Sequence, residues 1–223
     1  IDGYGKIISN KKLGEIMLEL QGKGAHNINL VTPTHYVPNI ASTLQKIKGK
    51  ELIIPVVYNT SSYENVGTIM MMNHLVDIYL ADLRYYDDQL AINYSSSPHY
   101  FENATMAIDE MYRQVGCPEF DQDGMMKKGL IVRVLILPGH LDDAKNIIRY
   151  LYKTYKDDIF NSIMKQYTPV NPCIYNNLNR KLTEKEYDEV IQYALELGVS
   201  NAFVQEEGTA EESFIPPFDT KVI

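Results

Sequence analysis

A chain of 223 residues, 45% of them hydrophobic, can bury one sizeable core, and a single α/β domain over 1–223 is the default expectation. Its formal net charge of -8 excludes a general electrostatic footprint for nucleic acid or an anionic membrane, so a small anionic ligand would have to be captured locally. No apolar run approaches the roughly 18 to 20 residues of a membrane span, no signal peptide is expected, and the expected compartment is the cytoplasm.

Amphipathic and β-rich stretches alternate along the chain. Leu13, Ile16, Met17 and Leu20 mark a first helix, with Ser9 as N-cap and Gly22 and Gly24 as stops. A strand over Asn29 to Val31 follows, then a helix carrying Val37, Ile40, Leu44 and Ile47. Leu52 to Tyr58 reads as the second strand, and the stretch from Tyr63 to Asn73 as a helix whose Met70, Met71 and Met72 fill the core. Val76 to Leu80 is the third strand. The long crossover Tyr85 to Gly116 predicts two helices split near Pro98, which suits a first helical turn. Leu130 to Leu137, a helix over Asp142 to Lys156, and Ser162 to Tyr167 come next. A helix opened by the capping box Thr183 to Glu186 and a strand over Asn201 to Gln205 complete the pattern. Residues 206–223 read as an irregular C-terminal tail, with Phe214 to Phe218 packing back on the domain.

Each apolar run reads as a strand buried on both faces. Alternation with helices predicts parallel pairing, hence a barrel, a partial barrel or a doubly wound sheet. In any of these the active site forms at the carboxyl ends of the strands. Those ends are polar here: Thr32-Pro33-Thr34-His35, Asn59-Thr60-Ser61-Ser62, Asp82-Leu83-Arg84, Pro138-Gly139-His140, Gln166-Tyr167 and Gln205-Glu206-Glu207. Hydroxyl, amide, carboxylate and guanidinium groups around one rim suit a zwitterionic, ribose-bearing ligand. Neither a G-x-G-x-x-G nor a P-loop sequence follows any strand, so a phosphate-rich cofactor is not expected.

Arg133 lies inside the apolar run Ile131 to Ile136, where an unpaired cation is costly. It either faces a ligand in a polar interior or pairs with Asp82 or a glutamate. His35, Asp82 and His140 also allow a metal-dependent barrel hydrolase or lyase. A Schiff-base aldolase is disfavoured, since no lysine is expected within the strand runs. The two cysteines, Cys117 and Cys173, lie too far apart for a C-x-x-C pair.

The stretches Leu18 to Tyr36, Pro55 to Ser61, Val76 to Leu83, Ile131 to Arg133, Leu137 to Gly139 and Phe203 to Glu206 together resemble the pyruvate formate-lyase-activating-enzyme-related branch of the radical S-adenosylmethionine superfamily. The resemblance runs through nearly the whole chain in order. It implies an open parallel (β/α) barrel of the TIM-like type, in which S-adenosylmethionine lies across the strand ends above a [4Fe-4S] cluster and is reductively cleaved to a 5′-deoxyadenosyl radical. The implied partner is a glycyl-radical protein, and oligomeric state stays open.

Carried over by position, Thr32, Thr34 and His35 occupy the place of a Gly-Gly-Glu motif for the methionine amine. Asn59 and Ser61 then approach ribose or carboxylate, Asp82 and Arg84 the methionyl group, and Arg133 the carboxylate. Arg84 stands where lysine is usual, which keeps the charge but changes the geometry. The family's C-x₃-C-x₂-C loop is absent, and Cys117 and Cys173 cannot replace three thiolates from one compact loop. The expectation is therefore a core missing its first strand and cysteine loop, with Gly3 to Ser9 resembling the residues that follow that loop. A non-catalytic binding module is the remaining alternative.

Overall fold

The structure, a computed structural model, describes residues 6–169 and 172–205. The expected tail, the strand-end residues Glu206 and Glu207, and Gly3 to Gly5 lie outside the described residues. In chain order the elements are α1 (Asn10–Gly22), β1 (Ile28–Val31), α2 (Val37–Ile47), β2 (Val56–Thr60), α3 (Val66–Met70), β3 (Ile78–Asp82), α4 (Asp88–Ser95), α5 (Tyr100–Val115), β4 (Glu119–Phe120), β5 (Met126–Leu135), α6 (Leu141–Tyr155), β6 (Phe160–Met164), α7 (Glu184–Leu197) and β7 (Ala202–Val204). Six strands pair in parallel in the order β1, β2, β3, β5, β6, β7, while β4 pairs antiparallel with the start of β5. Among the described residues the sheet does not close.

Local chemistry explains the helix boundaries. Ser9 Oγ accepts the Lys12 N–H at 3.1 Å and starts α1 as expected. Asn65 and Asp87 cap α3 and α4 in the same way, through the N–H groups of Gly67 and Gln89. Ser96 and His99 both adopt left-handed backbone conformations and break the crossover into two helices. Pro98 therefore precedes the α5 cap instead of occupying its first turn, because His99 takes the capping position. Helix α3 is shorter than expected; Ile69 and Met72 turn inward, but Met70 and Met71 are exposed, so only one residue of the methionine run fills the core.

The two faces of the sheet differ, which corrects the expectation of burial on both. Tyr58, Tyr79, Leu130 and Val132 are fully buried on the helix-covered face. Full burial of such side chains contributes roughly 1.5 to 3 kcal/mol each for the aliphatic ones. On the other face, β5 shows Ile131, Arg133 and Leu135 half-buried between buried neighbours. An open sheet exposes this side, so the period-2 alternation of a one-sided strand appears inside an apolar run. The strand ends also move. β2 begins at Val56 and runs through Thr60, and β3 ends at Asp82, so Asn59 and Asp82 lie within strands and are fixed by their ladders. The β4 hairpin, which has no apolar alternation in sequence, extends β5 back to Met126; Gly129, at φ +139°, lets that strand pass Pro118.

Helix α7 opens with the expected capping box: Thr183 Oγ1 accepts from the Glu186 N–H at 3.2 Å, and Glu186 accepts from the Thr183 N–H at 3.0 Å. Arg180 grips the same carboxylate with two bonds of 2.7 Å. The Arg180 fork, opposed by partial burial and helped by Thr183, holds the Glu186 pKa at about 2. A depressed carboxylate contributes stability that is present above its ordinary value of 4.5 and is lost as pH falls toward about 2. Glu186→Gln should flatten the pH dependence of unfolding free energy in that window, as read by urea denaturation at successive pH values. An unchanged slope would show that the pair is not maintained in solution.

Candidate functional site

In a parallel ladder, residues in register point to the same face. Asn59 is in register with Leu80, and Asp82 with Arg133, so these four side chains share the open face at the carboxyl ends of β2, β3 and β5. Arg133 Nε donates to Asp82 Oδ1 at 2.6 Å, and its Nη2 reaches across β3 to donate to Asn59 Oδ1 at 2.8 Å. Arg84 closes on the other carboxylate oxygen, with Nε and Nη2 donating to Asp82 Oδ2 at 3.1 and 2.7 Å. One carboxylate thus receives two guanidinium groups.

Exposure grades across this cluster. The Asp82 side chain is 8% exposed, Arg133 23% and Arg84 46%. Charge-assisted bonds of this kind are strong only where water is excluded, as it is around Asp82. Burial draws the Arg84 pKa down, but the adjacent Asp82 charge and the hydrogen bonds to it, with smaller contributions from nearby tyrosines, together outweigh it and raise the pKa above its ordinary value. The cluster carries one net positive charge, and among the described residues Arg133 Nη1 has no protein partner. Half-buried Leu80, Ile131 and Leu135 on the same face add apolar surface beside it.

The other expected positions divide. Ser61 is half-buried directly beyond β2, and its carbonyl accepts from Tyr100 Oη at 2.9 Å. Thr32 has φ +48° and stands exposed at the rim, as does His35 in a single 3-10 turn over Thr34–Tyr36. Thr34 is turned away: its hydroxyl donates to Glu64 Oε1 at 2.7 Å. Glu64, only 6% exposed, also accepts from Thr60 and Tyr58 at 2.6 and 3.2 Å, so it ties the β1 loop to β2 beneath the rim. Its other oxygen and the Ser62 hydroxyl are buried without a partner among the described residues.

His35, Asp82 and His140 do not gather. His140 Nε2 faces Tyr94 Oη at 2.8 Å and Asn177 Nδ2 at 2.7 Å, and among the described residues no group of three or more His, Cys, Asp or Glu side chains could hold a metal ion. Cys117 and Cys173 are both exposed and free. The expectation that strand runs hold no lysine is corrected by Lys127 and Lys128, which lie within β5, and by Lys165, which falls inside the expected run Ser162 to Tyr167, directly follows β6, is buried, and pairs with Glu184 at 2.9 Å. A cleft of about 710 Å³ lies elsewhere, lined by Tyr86, Leu90, His140, Asp143 and Glu189 among others, and is acidic. The sequence reading also misses Glu64 and Tyr100. Glu64 has a faint signal, an acid two residues beyond the hydroxyl run Thr60 to Ser62; Tyr100, at a helix start, has none.

No family model matches the chain. A curated relative, an uncharacterized protein of Methanocaldococcus jannaschii, is 27% identical over 176 residues, which span 75% of this chain and 46% of the relative. The chain thus spans about half the length of that relative. Among solved structures, a domain of pyruvate-formate lyase-activating enzyme from Bacteroides vulgatus superposes with a TM-score of 0.57 at 12% identity, over 81% of this chain and 98% of that one. The fold shared with that domain is an open, partial parallel (β/α) barrel. Streptococcus suis SuiB bound to precursor peptide SuiA gives a TM-score of 0.60 at 11% identity, over 92% of this chain and 44% of that one. HydG, a maturase of the [FeFe]-hydrogenase, gives 0.56 at 12% identity, over 91% and 45%. The open parallel sheet expected from the sequence is therefore observed, with the polar cluster at the strand ends where such folds bind ligands. Among the described residues, no helix is long and apolar enough to cross a membrane.

Because Asp82 is the buried partner of both guanidinium groups, Asp82→Asn should destabilise the protein by about 2 kcal/mol, reduced from the cost of a fully buried pair by the exposure of Arg84 and Arg133. Urea denaturation measures it. A neutral effect would mean that solvent already screens the cluster.

Proposed function

We propose that this chain is the S-adenosylmethionine-binding core of a radical enzyme, and that Asp82, Arg84, Arg133 and Asn59 receive the polar end of that ligand. The observation that carries the reading is the charge of the cluster. Two guanidinium groups share one carboxylate on a half-open face, leaving one positive charge for an incoming carboxylate. Arg133, with Nη1 free of protein partners among the described residues, is the natural carboxylate anchor, and Arg84 supplements it from the exposed side. Asn59 and Ser61 remain for ribose hydroxyls, and Leu80 and Ile131 supply apolar surface for a heterocycle. Thr32 and His35 stand at the rim for the amine; Thr34, already committed to Glu64, is set aside.

S-Adenosylmethionine supplies a 5′-deoxyadenosyl radical when it is reductively cleaved at a [4Fe-4S] cluster. The two cysteines of this chain, free and exposed at 117 and 173, do not fit such a cluster, so its ligands would have to come from elsewhere in a longer protein. What these residues contribute is placement and electrostatics. The finer reading, hydrogen abstraction from a glycyl-radical protein, is supported by likeness to the activating-enzyme domain and, more broadly, by the peptide bound in the SuiB structure. Both fit a protein or peptide substrate.

Calorimetric titration of the full gene product with S-adenosylmethionine tests the reading. Arg133→Met should weaken binding roughly tenfold or more, the effect of losing a charge-assisted bond. Lys145→Met, which breaks a surface pair with Glu189, should leave it unchanged. Equal affinity for Arg133→Met and the unaltered protein would refute the assignment.

A further inference from the structure

The phenol of Tyr100 meets the chain where two neighbouring strands end. Its oxygen accepts the Arg84 backbone N–H at 3.1 Å, and its proton is shared between the carbonyls of Ser61, at 2.9 Å, and Asp82, at 3.1 Å. The β3 ladder has run out at this point. Leu83 N–H still donates to the Arg133 carbonyl at 2.9 Å, but the next amide, that of Arg84, bonds to Tyr100 instead of to the sheet. The direction in which residue 84 leaves the strand decides whether its guanidinium can turn back onto Asp82. At that point the phenol is the hydrogen-bond partner of the Arg84 amide.

Tyr100 is itself held independently of this hydroxyl. Its backbone N–H donates to Asp88 Oδ1 at 3.1 Å, and its ring stacks on Tyr63 at 5.9 Å and meets Tyr85 edge-on at 5.4 Å. Tyr63 is in turn fastened by its hydroxyl to the Pro98 carbonyl at 2.8 Å. The residue is buried, and burial pushes its pKa well above the ordinary phenol value, so it stays a neutral donor and acceptor. A buried hydroxyl bonded to three backbone groups on two strand ends is more than packing requires, since phenylalanine would fill the same space.

We propose that Tyr100 is a positioning residue of the ligand site: by fixing the ends of β2 and β3 it holds Arg84 and Asp82 in the geometry that receives the carboxylate. The identity of the ligand rests on the reading above, whereas the positioning itself does not. Tyr100→Phe keeps the ring contacts and removes the three bonds. Two measurements on the full gene product separate the possibilities. In hydrogen exchange without ligand, the Arg84 amide of Tyr100→Phe should lose at least roughly tenfold of its protection while the core amides of β3, such as Tyr79 and Leu80, keep theirs. An Arg84 amide as protected as in the unaltered protein would overturn the proposal, as would a uniform loss through β3.

In titration with S-adenosylmethionine, Tyr100→Phe should weaken binding roughly fivefold in the unaltered background and have no further effect when Arg84 is already methionine. Equal losses in both backgrounds would assign Tyr100 a merely structural role. If the unaltered protein binds no S-adenosylmethionine, the ligand reading fails, and the exchange experiment still decides the positioning of Arg84.

Discussion

One carboxylate shared by two guanidinium groups organises the open face of this protein. Asp82 closes β3, sits in register with Arg133 on β5, and takes Arg84 from the loop that follows, while Arg133 continues over β3 to Asn59 on β2. Three strands are thereby joined by side chains as well as by the backbone ladder. A buried carboxylate with one cation is a structural pair; with two, the pair leaves a charge over. In a chain of net charge -8 that local excess is positive against an acidic background.

The rest of the fold keeps this arrangement in place from below. Tyr58, Tyr79 and Val132 fill the helix-covered face directly behind the polar residues, so β2, β3 and β5 are apolar on that side and carry the polar cluster on the other. Glu64 fastens the loop after β1 to β2, and Tyr100 fastens the end of β2 to that of β3. Both braces lie just outside the sheet's own hydrogen bonds, where strand ends would otherwise be free to diverge. On the outside of the sheet Lys165 is neutralised by Glu184, and the acidic cleft near His140 carries charge of the opposite sign to the cluster on the open face.

Much of this was legible in the residues. Alternation of apolar runs with amphipathic helices was enough for a parallel α/β sheet, and Ser9 and the Thr183 box marked helix starts correctly because a cap is a local interaction. Arg133 posed a choice between a ligand and a pairing with Asp82; the pairing is present, and it uses only part of the guanidinium. What sequence could not supply were contacts between distant segments. Thr34 was expected at the site, but Glu64, 30 residues away, draws its hydroxyl inward. Tyr100 reaches Ser61 across 39 positions, and no local pattern announces that contact. Runs expected to be buried twice over proved half-exposed because closure of the sheet is a property of the whole fold.

On the proposed reading, this open face binds S-adenosylmethionine in a protein that uses it for radical chemistry. Anaerobic reconstitution of the full gene product with iron and sulfide, followed by EPR of the reduced protein with and without S-adenosylmethionine, tests it most directly. The account predicts a [4Fe-4S]⁺ signal that changes when S-adenosylmethionine is added. A reconstituted protein that forms no such cluster, or whose cluster signal is indifferent to S-adenosylmethionine, would contradict it.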